Sequence, residues 1–180
     1  MSFSYHRIAT HTSLPVEAEV YTLSTNSWRR VAVSLSGSGG PCESIIDIDV
    51  NPDLFFNGAL HSIAYTRDHK FILLFDLNDE IFQEIRLQQN YLDGLSHVIF
   101  EKLDVFKGSL ALILVVKEKI YSVDDDEELD DEDEDTFSLF HIWVMSDGVD
   151  ESWTKKVVIM DNVSEFFGCT SSGEFLFRNR

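Results

Sequence analysis

Val20–Tyr21–Thr22–Leu23–Ser24–Thr25–Asn26–Ser27–Trp28 is an apolar strand, a polar turn and an aromatic residue, in that order. The same order returns as Leu74–Phe75–Asp76–Leu77–Asn78–Asp79–Glu80–Ile81–Phe82. It returns again, with a longer turn, as Ile142–Trp143–Val144–Met145 followed by Trp153. A second strand-length run follows each aromatic: Arg29–Arg30–Val31, Gln83–Glu84–Ile85–Arg86–Leu87, and Thr154 to Ile159. Two antiparallel strands per copy, with no helix between copies, predict an all-β, propeller-like array of small sheets. Such arrays present long surfaces suited to binding rather than a catalytic crevice.

The spacing keeps these copies in phase. Trp28 and Phe82 are 54 residues apart and Phe82 and Trp153 are 71 apart, the longer interval containing the run Asp124 to Asp135, which the shorter one lacks. A second marker, Asn57–Gly58–Ala59–Leu60 and Lys107–Gly108–Ser109–Leu110, opens the strand pair before an aromatic turn, with a weaker Ser172–Gly173–Glu174–Phe175 near the end. Glycine there points to a tight turn, where positive φ costs a glycine nothing.

Period-two patterning places strands at Val16–Val20, Ile45–Val50, Phe55–Phe56, Leu60–Tyr65, Lys70–Leu77, Ile81–Leu87, Leu103–Phe106, Ser109–Val116, Phe137–Met145 and Trp153–Met160. Phe166–Phe167 and Glu174–Phe177 begin a further unit. Leu35 to Pro41 reads as a Ser/Gly loop, Thr66 to His69 as a turn, and Leu92 to Leu103 as the only stretch able to hold a helical turn. About three four-stranded antiparallel units are expected, with both ends of the chain inside a repeat. Trp28, Phe82 and Trp153 are expected at equivalent positions, largely buried between sheets. Arg29–Arg30 and Lys155–Lys156 are expected on a solvated outer edge.

The net charge of −18 is concentrated: Asp124 to Asp135 holds eleven acidic residues and one leucine, leaving about −7 for the rest of the 180 residues. A block this dense repels itself and is expected as a disordered insertion between two strands of one unit. No basic stripe exists to neutralise phosphates, so nucleic acid is not an expected partner. The longest apolar runs are strand-length, short of a membrane span. The N-terminus lacks a signal-peptide core, and Cys42 and Cys169 stand far apart, which indicates the cytosol or nucleus. Asn162–Val163–Ser164 then matches a glycosylation pattern by chance.

Catalytic chemistry finds no footing. His6, His11, His61, His69, His97 and His141 show no metal spacing, and His61 and His141 fall in strands as structural histidines. Ser36–Gly37–Ser38–Gly39–Gly40 lacks the lysine and helix of a phosphate loop. Clustered carboxylates occur only in the acidic run, without the fixed geometry that acid–base catalysis needs. The expectation is a protein that is not an enzyme, with no catalytic, cofactor-binding or metal residues and no cofactor.

Five phrases resemble the F-box-associated domain of plant F-box proteins, a kelch-like β-propeller region. They are Ala18 to Val31, Phe56–Asn57–Gly58–Ala59–Leu60–His61, Ile72–Leu73–Leu74–Phe75–Asp76–Leu77, Phe106–Lys107–Gly108–Ser109–Leu110–Ala111–Leu112, and Ile142–Trp143–Val144–Met145 with Glu151 to Lys156. The resemblance covers residues 8–180, with 123–136 as the acidic insertion. It implies a partial kelch-like β-propeller acting as the substrate-recognition domain of a Skp–cullin–F-box ubiquitin ligase. A target protein would then be the partner, and a Skp-type adaptor would dock only through an F-box. The first strand phrase starts too near Met1 for a helical F-box to precede it, so a receptor fragment is expected. The alternatives are a truncated gene product with no ligase role and a propeller that binds a small ligand.

Overall fold

The computed structural model describes residues 17–33, 45–49, 54–95, 98–119, 136–146, 152–161 and 163–179. They form thirteen strands and, among the described residues, no helix: β1 (Glu17–Thr22), β2 (Ser27–Ala32), β3 (Asp47–Ile48), β4 (Leu54–Phe56), β5 (Ala59–Tyr65), β6 (Lys70–Asp76), β7 (Phe82–Arg86), β8 (Val98–Phe106), β9 (Ser109–Lys119), β10 (Thr136–Met145), β11 (Trp153–Asp161), β12 (Val163–Cys169) and β13 (Phe175–Asn179). All pairings are antiparallel. The chain divides into two compact units, Met1–Leu87 and Gln88–Arg180.

The first unit holds hairpin β1–β2 and a sheet in the order β3-β5-β6-β7, with β4 also on β5. β3 and β4 lie end to end on one edge of β5, Asp47–Ile48 opposite Tyr65–Ala64 and Leu54–Phe56 opposite His61–Ala59. The sheet is therefore four strands wide. The second unit holds the sheet β8-β9-β10-β11 and hairpin β12–β13. Four sheets made from sequence neighbours are what the repeat predicts: two complete units and two hairpins.

Turn chemistry sets the strand boundaries. Asn57–Gly58 (φ 49° and 79°) and Lys107–Gly108 (φ 53° and 81°) are both left-handed at both residues, the two-residue hairpin turn whose twist suits flanking strands. Gly173 (φ 83°) serves a longer turn, in which the Thr170 N–H bonds the Glu174 carbonyl (2.8 Å) and three residues lie between. The aromatic turns match in register. Leu23–Asn26 lies between the paired Thr22 and Ser27, and Leu77–Glu80 lies between Asp76 and Ile81, whose backbones bond at 3.0 Å. The last turn residue is left-handed in both, Asn26 at φ 49° and Glu80 at φ 56°. In the third copy the Ser146 N–H bonds the Ser152 carbonyl (2.9 Å) around residues 147–151, which lie outside the described set.

Packing follows strand alternation. Ala18 and Val20 face inward with Val31 and Val33, against Ala64, Phe71, Leu73, Phe75 and Phe82 of the neighbouring sheet. In the second unit Phe106, Ala111, Ile113, Val115, Phe140 and Ile142 pack against Val163, Phe166, Cys169 and Phe175 of the following hairpin. Each fully buried side chain of this size contributes about 1.5–3 kcal/mol. Phe71–Ile72–Leu73 and the run Leu110 to Val116 are withdrawn from solvent at every position. Continuous burial marks a sheet covered on both faces rather than one half-exposed.

The structure sharpens two sequence expectations and overturns a third. The stretch Leu92 to Leu103, read as able to hold a helical turn, holds a hydrogen-bonded turn from Leu92 to Leu95, and from Val98 it is strand, paired across β9 from Val116 to Leu112. Of the strand expected over Ile45–Val50, Asp47–Ile48 is paired as β3, with the Ile46 N–H on the Tyr65 carbonyl and the Asp49 N–H on the Ile63 carbonyl (both 2.8 Å) continuing it along β5, and Val50 lies outside the described residues. Trp28, expected to be buried, is exposed, for the reason developed below. The acidic run and the Ser/Gly loop lie outside the described residues. The connection bearing the acidic run nevertheless joins Lys119 and Thr136, direct partners in one sheet.

Candidate protein-interaction surface

Two turns of the first unit are tied to each other and to strand β2. The Leu77 N–H donates to the Gly58 carbonyl (3.2 Å), joining the β6–β7 turn to the β4–β5 turn. The Arg29 guanidinium pairs with the Glu80 carboxylate, joining β2 to the β6–β7 turn. Within that turn the Asp76 carboxylate accepts the N–H groups of Asn78 (2.7 Å) and Asp79 (3.0 Å). Those two bonds, Asp79's first, hold its carboxyl below the usual range. The Tyr21 hydroxyl donates to the Asn26 side-chain carbonyl across the first turn. These loops therefore carry their own scaffold, and little ordering entropy remains to be spent on binding.

Apolar side chains stand out from this frame. Leu23 is 77 % exposed and Ile81 is 41 % exposed, each at the edge of an aromatic turn, and Phe55 stands out beside Asn57. The same turns expose Asn26, Asn57, Asn78 and Asp79. Fixed apolar anchors within a polar rim, with an arginine at hand, are the composition of a protein-binding patch.

The repeat aromatics occupy matching positions, as expected: Trp28 lies opposite Tyr21, Phe82 opposite Phe75, and Trp153 opposite Met145. Their burial differs. Phe82 is 3 % exposed and Trp28 is 53 % exposed, while Trp153 is half-buried. Phe75 and Phe82 are covered by the inward face of hairpin β1–β2. Tyr21 and Trp28, rings 4.9 Å apart, lie on that hairpin's other face with Glu19 and Arg30. Arg29–Arg30 and Lys155–Lys156 are exposed, as expected. Lys155 lies over the Trp143 ring at 5.2 Å and Lys156 over Phe106 at 5.3 Å.

The second unit's corresponding turns differ in chemistry. The Lys107 stem passes so close to Gly173 that a Cβ there would meet its Cγ at 2.5 Å. Thr170 and Ser172 hydroxyls converge on the Glu174 carboxylate at 3.2 and 2.9 Å. Lys102 donates to the Phe167 carbonyl (2.6 Å), and Asp104 accepts the Cys169 N–H (3.0 Å). These side chains fix the hairpin to its sheet and leave a surface of lysine and hydroxyl groups.

Three further titratable groups lie on strands β5, β10 and β12. His61 is buried with Nδ1 3.3 Å from the Leu54 carbonyl, and burial lowers its pKa. His141 is lowered by burial and then by Lys155. Burial first, then Asp104, pushes the Cys169 thiol up to about 11, which keeps it protonated and unreactive at neutral pH. Among the described residues no group of three His, Cys, Asp or Glu side chains is placed to hold a metal ion. Leu23 and Ile81 were not singled out by sequence; the available signal was an apolar residue inside an otherwise polar turn.

The chain matches no curated protein and no solved structure. It does match the family profile of the F-box associated beta propeller domain over residues 3–180. Register-matched turns, antiparallel sheets joined in sequence and this near-complete match agree, and the chain belongs to the F-box associated beta propeller domain family.

Proposed function

We propose that this chain is a protein-interaction module that holds a target protein as the substrate-recognition part of an F-box receptor in a Skp–cullin–F-box ubiquitin ligase. The observation that carries the reading is the membership of nearly the whole chain in a domain family associated with F-boxes. The tied turns bearing Leu23, Ile81 and Arg29 supply a surface of the right composition. The module binds without catalysing, works in the cytosol or nucleus, and leaves adaptor docking to an F-box.

The test is a reconstitution. The 180-residue chain is mixed with a purified Skp-type adaptor, alone and fused behind an F-box. Adaptor binding only by the fusion is expected, and stoichiometric binding by the chain alone would sink the division of labour. Proteins crosslinked to the fusion in cells are then compared with those crosslinked to the Leu23→Asp/Ile81→Asp double variant. Loss of a protein that the unaltered fusion drives to ubiquitination is the expected result. An unchanged set places target contact elsewhere.

A further inference from the structure

The sheet β8-β9-β10-β11 ends on β11. Its nine residues pair with β10 in unbroken register, from Trp153 opposite Met145 to Asp161 opposite Phe137. The Ser146 N–H on the Ser152 carbonyl (2.9 Å) fixes the phase of that ladder. Opposed residues alternate between bonded and non-bonded pairs, so Thr154, Lys156 and Val158 turn their peptide groups to β10. Lys155, Val157 and Ile159 turn theirs outward, where they meet no backbone partner among the described residues. Neither neighbouring connection is long enough to run beside them. Five residues separate Ser146 from Ser152, and one separates β11 from β12.

The side chains of this edge suit an added strand. Val157 is 51 % exposed and Ile159 is 66 % exposed, on one face with Lys155. On the other face Lys156 is exposed, while Val158 and Met160 are partly buried against the core. Edges are commonly blunted by charge, above all by lysine. Here both lysines lean back over the sheet, Lys155 over the Trp143 ring of β10 (5.2 Å) and Lys156 over the Phe106 ring of β8 (5.3 Å). β7 ends the sheet of the first unit and contrasts with β11. It is five residues long and exposes Gln83 and Arg86, with no large apolar side chain in solvent.

We propose that β11 is a docking edge for an extended segment of a partner protein, which adds antiparallel as a fifth strand and carries two adjacent acidic residues after alternating apolar ones. Antiparallel addition keeps the pairing used throughout the sheet, the more stable kind per residue. Side chains directly across such a pair have Cβ atoms about 4.5–5.5 Å apart, so acids opposite Lys156 and Lys155 reach their ammonium groups. β-branched residues opposite Ile159 and Val157 cover the two exposed apolar positions. With charges screened over about 8 Å, the adjacent lysines, and not the net charge of −18, decide which segment the edge accepts. Backbone bonds supply the attraction and the side chains supply the choice. This edge belongs to the second unit and does not rest on the turn surface of the first.

The test titrates a capped peptide, Thr-Val-Thr-Val-Asp-Asp-Thr, into the 180-residue chain and follows amide hydrogen exchange. New protection is expected at Lys155, Val157 and Ile159, and none at Lys156 and Val158, which the sheet protects already. The same peptide with both acids replaced by lysine is expected to change nothing. Val157→Pro removes one outward N–H and spares the ladder to β10, and Ile159→Asp sets a carboxylate at an exposed position. Each is expected to weaken peptide binding about tenfold or more, with thermal melts confirming a folded chain. Should Val157→Pro not fold, Ile159→Asp decides alone. Absence of the alternating protection overturns the proposal, as does equal binding of the lysine peptide or unchanged binding by the folded variants. Protection of the three amides without peptide, rising with protein concentration, assigns the edge to a second copy and overturns it too. None of these outcomes depends on an adaptor or on ubiquitination.

Discussion

Hairpins β1–β2 and β6–β7 have the same four-residue turn, the same left-handed final residue and the same cross-strand aromatic pair, yet Phe82 is buried and Trp28 stands in solvent. Nothing within the hairpins accounts for this. Phe75 and Phe82 face hairpin β1–β2, which precedes their sheet in the chain, whereas Tyr21 and Trp28 lie on that hairpin's opposite face. The second unit keeps the same direction, with Phe166 and Phe175 of the later hairpin facing the earlier sheet. Burial in such an array is a property of position in the sequence of sheets, not of the repeat motif.

The largest effect expected from this contrast is in stability. Phe82→Ala should cost about 3–5 kcal/mol, as for other fully buried aromatics. Trp28→Ala, in dilute chain, should cost within about 1 kcal/mol. Urea unfolding of the two variants decides it, and equal losses would show that Trp28 has a hidden partner.

A second contrast sets the buried histidines of the two units against solution pH. Both His61 and His141 have folded-state pKa values below the ordinary 6.5, chiefly through burial. The unfolded chain therefore takes up protons that the folded chain refuses. Stability is complete above pH 6.5 and falls as pH drops through that value toward the folded-state values. Thermal melts between pH 7.5 and 5 should show the midpoint falling. Neither ring nitrogen of His141 finds a hydrogen-bond partner among the described residues, so His141→Phe should keep stability at pH 7.5 and reduce the acid loss. An unaltered pH profile would place the titration at His61 or elsewhere.

The smallest effect concerns the link between the two hairpins. Arg29 and Glu80 are both partly solvated, and exposed pairs contribute about 0.2–1 kcal/mol. A double-mutant cycle with Arg29→Gln and Glu80→Gln should return a coupling in that range, diminishing at high salt. A coupling of zero would mean that hairpins β1–β2 and β6–β7 are held together by their apolar packing.

Much of the fold was legible because it is local. Asn57–Gly58 and Lys107–Gly108 announced hairpins through the conformation only such turns demand, and the aromatic positions matched to the residue. Three things were not legible, each for a tertiary reason. Val98 to Leu103 has charges at Glu101 and Lys102 that blur its period, and only pairing with β9 makes it strand. The exposure of Trp28 follows from the tertiary packing of hairpin β1–β2, whose other face is the one turned to the sheet β3-β5-β6-β7. The Arg29–Glu80 pair spans 51 positions, a separation at which sequence spacing carries no contact information. Of the candidate surface, the turns themselves could be read, but the way they are tied together could not.

Strand pairing by sequence neighbours has a consequence for how the chain acquires its structure. Apart from β3 on β5, every described pair joins strands consecutive in the chain. Hairpins of this kind need little loop closure before their contacts form, and chains dominated by such contacts fold quickly for their class. Synthesis from the N-terminus would present β1 to β7 complete before β8 exists, so the first unit can settle its core during translation.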